Sequence, residues 1–168
     1  FWGFDNAGTY YIYYNGGVRI TTGSGVIDID HWYHCAVTRT GGVLYMWLDG
    51  SLVGSYDTSS ANFSTDITRL GSDVHSAGFY FDGMVNDARI YIGKAKYTAN
   101  FLPASPSPNI MPDSPHGVSL GSRTVNPGIT TNTHGSVSFT EGENPYMDFD
   151  PGSDIAIGTG DFTIEAYV

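Results

Sequence analysis

Two pairs of aromatic residues are spaced so that their side chains could bind a sugar. Tyr45 and Trp47 occupy alternate positions of one alternating stretch, and Tyr11 and Tyr13 do so in another. Alternate residues of a β-strand lie on the same face of a sheet. An aromatic sheet face can stack on sugar rings while Asp and Asn side chains bind the hydroxyls. The alternative is that a loop or a neighbouring module covers the rings, because large aromatic residues on a second sheet face are often buried.

The residue types that common enzymes use do not fall into their usual patterns. A phosphate-binding loop, HExxH and a Cys/His zinc cluster are all absent from the sequence. Cys35 is the single cysteine, and neighbouring His34 would lie on the opposite face of a strand, which disfavours a Cys–His nucleophile. His31 and His34 are three positions apart, so in a strand they too would lie on opposite faces.

Charge limits the possible partners. Seven Lys and Arg residues stand against seventeen Asp and Glu residues, a formal net charge of -10. Such a field repels phosphate backbones and anionic membrane surfaces. No apolar run approaches the roughly 18 residues of a membrane helix. We therefore expect neither nucleic acid nor a membrane as partner, while cations, neutral glycans and other proteins are compatible.

Short alternating runs between turn signals predict an all-β protein with two packed sheets. Gly-containing turns at residues 15–17, 40–42 and 49–50 predict hairpins. Alternation then predicts the core face of two strands. The predicted core positions are Leu44, Met46, Leu48, Ala88, Ile90 and Ile92.

Proline divides the chain. Five prolines within residues 103–115 predict an extended linker, because proline cannot pair inside a sheet. The linker separates a long first piece from a short second piece.

Two stretches, HWYHCAVTRTGGVLYMWLDGSLVGS and FDGMVNDARIYIGKAKYTANF, carry a family resemblance. They resemble the laminin-G-like branch of the concanavalin A-like lectin and glucanase superfamily, with W-x-H-x-A-x-T-R, a strand ending in D-G, and D-x-R-I-Y followed by Y-T-x-x-F. The resemblance covers residues 10–102. It implies a jelly-roll antiparallel β-sandwich.

The end of the chain resembles the opening of such a domain, in GSVSFTEGENPYMDF and GTGDFTIEAYV. The resemblance therefore implies a tandem-repeat protein cut out of repeat phase. Residues 1–102 would be the C-terminal two-thirds of one repeat, 103–135 a linker, and 136–168 the first strands of the next. We expect the two pieces to complete one sandwich, by circular permutation within the chain or by a strand swap in a homo-oligomer.

The resemblance also implies a structural Ca²⁺ ion at Asp87. Related glucanases often bind calcium through an Asp before the terminal R-x-Y strand together with backbone carbonyls, which here would come from residues 140–144. The alternative is a surface Asp paired with Arg89.

Retaining glucanases of this superfamily carry E-x-D-x-x-E on one strand, and this chain does not. Its three Glu residues are Glu141, Glu143 and Glu165. We therefore expect no enzyme but a carbohydrate-binding or adhesion module of a larger extracellular or virion-surface protein. It would bind a glycan or cell-surface polysaccharide and contact neighbouring repeats. Two alternatives are a purely structural spacer repeat and a divergent glycoside hydrolase, which would need two carboxylates facing each other in an open cleft.

Overall fold

The computed structural model describes residues 2–63, 68–73, 79–103, 123–125, 129–131, 137–140, 145–149 and 157–168. Over these ranges the chain forms strands and turns, and none of it is a helix long and apolar enough to cross a bilayer. The strands of this part are β1 (Trp2–Phe4), β2 (Tyr10–Tyr14), β3 (Gly17–Thr21), β4 (His34–Thr40), β5 (Val43–Leu48), β6 (Ser51–Asp57), β7 (Thr68–Leu70), β8 (Gly83–Ile92), β9 (Arg123–Val125), β10 (Ile129–Thr131), β11 (Val137–Phe139), β12 (Met147–Phe149) and β13 (Phe162–Tyr167).

The strands form three antiparallel sheets. β1, β2 and β3 make a small sheet, and a large sheet has the order β10-β11-β8-β13-β4-β5-β6. A third sheet has the order β7-β12-β9. The predicted hairpins are present, and their turns follow local chemistry: Asn15-Gly16 and Asp49-Gly50 all have positive φ, as a two-residue turn between twisted strands requires.

The core lies between the small sheet and the large sheet. β2 alternates strictly, with Tyr10 and Ile12 buried and Tyr13 exposed. From the large sheet, Leu44 and Met46 pack against them as predicted. The predicted all-β sandwich is thereby confirmed.

The last strand in sequence occupies the middle of the large sheet. β13 pairs antiparallel with β4 on one side, from Phe162 opposite Arg39 to Tyr167 opposite His34. On its other side it pairs with β8. At the start of β13, the Asp161 carboxylate accepts hydrogen bonds from the Thr40 hydroxyl and the Gly41 amide, both 3.1 Å long.

A β-bulge in β8 changes which residues face the core. Glu165 pairs with Arg89 but Tyr167 pairs with Asn86, so two residues of β8 stand opposite one residue of β13. Asp87, at the bulge, has φ +53°. The predicted core position of Ala88 is therefore wrong, since its side chain is exposed. The predicted core position of Ile92 is wrong as well, because this last residue of β8 is 44% exposed.

Part of the predicted linker, residues 103–135, forms strands. β9 and β10 both lie inside that range, and each contains β-branched residues that favour strands. The Pro-rich residues 104–115 lie outside the described part of the chain.

A substitution at Phe162 tests whether β13 lies in the centre of the sheet. Its ring is buried and meets Phe63 edge to face at 5.6 Å. We expect Phe162→Ala to lower the free energy of unfolding by about 3–5 kcal/mol, because it opens a cavity in the core. Urea denaturation measures the change.

The matched control is Ile92→Ala on the neighbouring strand, since Ile92 pairs with Phe162 but is 44% exposed. We expect it to cost about 1 kcal/mol, because half-exposed apolar groups contribute less. Equal losses in the two variants would contradict a core position for Phe162.

Candidate functional site

The Trp47 ring lies on the outer face of the large sheet but is closed to solvent. It is 1% exposed, and its indole Nε1–H donates a 2.9 Å hydrogen bond to Thr38 Oγ1. The Phe101 ring meets it at 5.8 Å and the Tyr45 ring stacks beside it at 6.2 Å. The expectation that Trp47 offers an open face to a sugar is corrected accordingly. Tyr45 is half-buried.

Residues 93–103, which we call the cover segment, close this face. The Thr38 hydroxyl donates to the Tyr97 carbonyl at 3.1 Å, and the Phe101 amide donates to the Gly50 carbonyl at 2.9 Å. A Cβ at position 50 would collide with the Phe101 carbonyl oxygen, so the turn glycine also permits this close approach. The segment that covers Trp47 comes from the same chain, which agrees with the alternative that a loop covers the rings.

A buried polar cluster lies under the cover segment around Glu165. Its carboxylate accepts a 2.7 Å hydrogen bond from Lys96 Nζ and another from the Tyr97 hydroxyl. His34 Nε2 lies 3.4 Å from the same carboxylate. The side chains of Glu165 and His34 are each 5% exposed. We call these four residues the Glu165 cluster.

The cluster holds Glu165 in its charged form. Burial alone would raise the pKa of this carboxyl, but hydrogen bonds from His34, Lys96 and Tyr97 outweigh it and lower the pKa to about 2. Burial and the bond to Glu165 raise the pKa of Tyr97. A carboxyl group with this pKa is a weak base and a poor acid near neutral pH, so the geometry favours a structural role.

A second buried charge, Arg39, ties β13 to the rest of the sandwich. Its guanidinium is 2% exposed and donates to the carbonyls of Thr159 and Gly160, the latter at 2.9 Å. It also donates to the Thr58 carbonyl at 2.9 Å and to the Thr58 hydroxyl at 3.2 Å. Carbonyl oxygens thus replace the water that a buried cation loses.

Asp87 is engaged in an ion pair. Its two carboxylate oxygens each accept a 2.7 Å hydrogen bond from the Arg89 guanidinium. Residues 141–144, which were to supply carbonyls to a calcium ion, lie outside the described residues. In the part of the chain that is described, no three His, Cys, Asp or Glu side chains group together as a metal site. A calcium ion at Asp87 would have to compete with Arg89, and it stays a prediction.

Tyr11 and Tyr13 lie on the outer face of the small sheet. Tyr13 is 37% exposed and pairs with Val18, which is also exposed. Tyr11 is half-buried, and burial together with the carboxylates of Asp5 and Asp73 raises its pKa. The two predicted aromatic pairs therefore lie on opposite outer faces of the sandwich and cannot form one site.

An exposed apolar loop was not anticipated from the sequence. Ile29 is 91% exposed and Trp32 is 36% exposed, with Val26 exposed nearby. The Tyr33 hydroxyl supports the loop, since it accepts a 3.1 Å hydrogen bond from the Asp28 amide. The signal in the sequence is an isoleucine set between two aspartates in DID, which disfavours burial.

A laminin G family model, described as concanavalin A-like lectin/glucanases superfamily, matches residues 1–95. No curated protein and no solved structure matched the chain.

The Glu165 cluster predicts how stability depends on pH. Because the pKa of Glu165 in the folded protein is about 2, below its ordinary value, its contribution is present above about pH 5 and is lost as the pH falls towards 2. We expect Glu165→Gln to lower the free energy of unfolding at pH 7 by about 2–3 kcal/mol and to flatten the acid limb of the stability curve. Urea denaturation between pH 2 and pH 8 measures both effects.

The control is Asp28→Asn, because Asp28 is an exposed loop carboxylate. We expect its acid limb to match that of the parent protein. A Glu165→Gln curve with an unchanged acid limb would show that the cluster does not hold the carboxylate.

Proposed function

The chain belongs to the concanavalin A-like lectin/glucanases superfamily, and we infer from this that it is a non-catalytic carbohydrate-binding or adhesion module. We place it in a larger extracellular or virion-surface protein. Its ligand is a glycan or a cell-surface polysaccharide. The observation that carries the proposal is the open face of the small sheet, where Tyr11 and Tyr13 lie side by side with Tyr13 accessible.

The geometry of that face suits a sugar. Alternate residues of one strand are about 7 Å apart on the same face, a spacing that suits contact with one extended glycan. Aromatic rings bind apolar ring faces, and the exposed Thr21 opposite Tyr11 adds a hydroxyl at the rim. The net charge of -10 and the carboxylates near Tyr11 favour a neutral glycan over a sulfated or phosphorylated one.

Glu165 does not suit a catalytic role. It is ionised, buried and bonded to Lys96 and Tyr97, so it has neither access to a substrate nor a free oxygen. Glu141 and Glu143 lie outside the described residues. A retaining hydrolase would need a second carboxylate about 5.5 Å from the first in an open cleft.

A structural spacer repeat is the second candidate, because one observation favours it. Val26, Ile29 and Trp32 expose a large apolar area on one loop. Such a loop fits a contact with a neighbouring repeat better than a contact with solvent. In this function the loop, not the small sheet, would carry the interaction.

Glycan-array binding followed by calorimetry tests the first proposal. We expect binding to neutral glycans, and a loss of about tenfold in affinity (~1.4 kcal/mol) for Tyr13→Ala, because the stacking ring is removed. Tyr13→Phe keeps the ring and should bind as the parent protein does.

Two further variants separate the candidate faces. Ile29→Ala removes an exposed residue of the loop and should leave glycan binding unchanged. Trp47→Ala should lower stability by about 3–5 kcal/mol because the ring is buried. If no glycan on the array binds, or if Tyr13→Ala binds with full affinity, the glycan site on the small sheet is contradicted.

We also propose that the Asp87 region can hold Ca²⁺. A cation bound only by the folded protein raises the melting temperature in proportion to RT ln(1 + [L]/Kd). We expect millimolar calcium to raise it, and Asp87→Asn to abolish the rise. Magnesium is the control, because its smaller shell disfavours a site of backbone carbonyls. An equal melting temperature with and without calcium would exclude this site.

A further inference from the structure

The large sheet contains a slot for one strand. β4 and β8 both belong to the first 95 residues, the range that the family model matches, and the strand between them comes from residues 162–167. Residues 93–161 separate β8 from β13 in sequence. The slot and the strand that fills it therefore come from distant parts of the chain.

The slot recognises a strand with two different faces. Towards the core it accepts Phe162 and Ala166, both buried. Towards the cover segment it binds Glu165 through Lys96 Nζ, and the Lys96 amide donates a 2.7 Å hydrogen bond to Thr163 Oγ1. A strand slipped by one residue would place Glu165 in the apolar core, so the slot is specific for this sequence and register.

Leaving the slot empty would cost free energy. β4 and β8 would each expose a row of unpaired backbone groups. Arg39 would lose the carbonyls of Thr159 and Gly160, and Lys96 would lose its carboxylate partner. The slot must therefore be filled, but nothing in its contacts requires the strand to come from the same molecule.

We propose that this slot also accepts β13 of a second copy of this chain, so that the sandwich is completed between molecules. Each copy gives its C-terminal strands to the other, and each slot remains incomplete without the strand that its partner supplies. β11, which pairs with β8, and β12, which pairs with β7, move together with β13. Every contact of the closed form is reproduced, so the two forms differ mainly in chain entropy and local concentration.

One feature favours exchange over permanent closure. The sequence predicts an extended linker over residues 103–115, and extended linkers favour reach over a close return. The strand lies at the centre of the sheet, so in either form it is held by both β4 and β8. In a protein with several copies in series, the high local concentration would favour links between neighbours.

A cysteine cross-link tests the proposal in the full chain. Cys35 and Ala166 are direct partners in the register of β4 and β13, and both are buried. Opposite residues of antiparallel strands have Cα atoms about 4.5–5.5 Å apart, within the range of a disulfide. The variant is Ala166→Cys, prepared once with natural isotopes and once with ¹⁵N.

The two batches are unfolded, mixed, refolded under reducing conditions at high protein concentration, and then oxidised. We expect a covalent dimer on a non-reducing gel, and mass spectrometry to find disulfides from Cys35 of one isotope to position 166 of the other. The mixed-isotope share should rise with the protein concentration during refolding. Disulfides that join only chains of the same isotope, at every concentration, would overturn the proposal.

Two controls keep the test decisive. Ala88→Cys places a thiol on the exposed side of β8, and it should give no link to Cys35. The unmodified chain, refolded over the same concentrations, needs no substitution, and light scattering should show a dimer share that grows with concentration. A monomer alone under all these conditions overturns the proposal even if Ala166→Cys does not fold.

Discussion

The placement of β13 between β4 and β8 is the interaction on which the rest of the structure depends. Its two faces have different partners, with Phe162 in the apolar core and Glu165 among polar side chains. Two buried charges need this strand in register. Arg39 donates hydrogen bonds to the carbonyls that precede the strand, and Glu165 is paired with Lys96. Buried charges are tolerated only when they are fully bonded, so the strand fixes the sheet as well as completing it.

This constraint decides which surface is free for binding. The cover segment supplies Lys96 and Tyr97 to Glu165, so it is tied to the outer face of the large sheet. The same segment lays Phe101 on Trp47 and closes the aromatic surface there. In the described part of the chain, Tyr13 on the outer face of the small sheet and Ile29 on its loop are exposed. These residues are separate from the contacts of Lys96, Tyr97 and Phe101 that stabilise the fold.

The features that depend on local chemistry could be predicted from the sequence. The turn at Asp49-Gly50 and the core face of Leu44 and Met46 follow from glycine and from alternation. The segment that covers Trp47 could not be predicted, because this depends on where residues 93–103 lie. Neither could the partner of Glu165, since Lys96 lies 69 positions earlier in the chain. β1 was not predicted from the sequence, because it is only three residues long. The bulge at Asp87 was not predicted either, because it breaks the alternation on which the prediction relied.

Native-state hydrogen exchange of the β13 amides tests the central role of this strand most directly. A strand paired on both sides opens only when the whole sandwich unfolds, whereas an edge strand frays. We expect the amides of Ile164 and Glu165 to exchange with the free energy of global unfolding, and the amide of Val37 in β4 to do the same. Exchange of these β13 amides as fast as that of the exposed residues of edge strand β6 would contradict it.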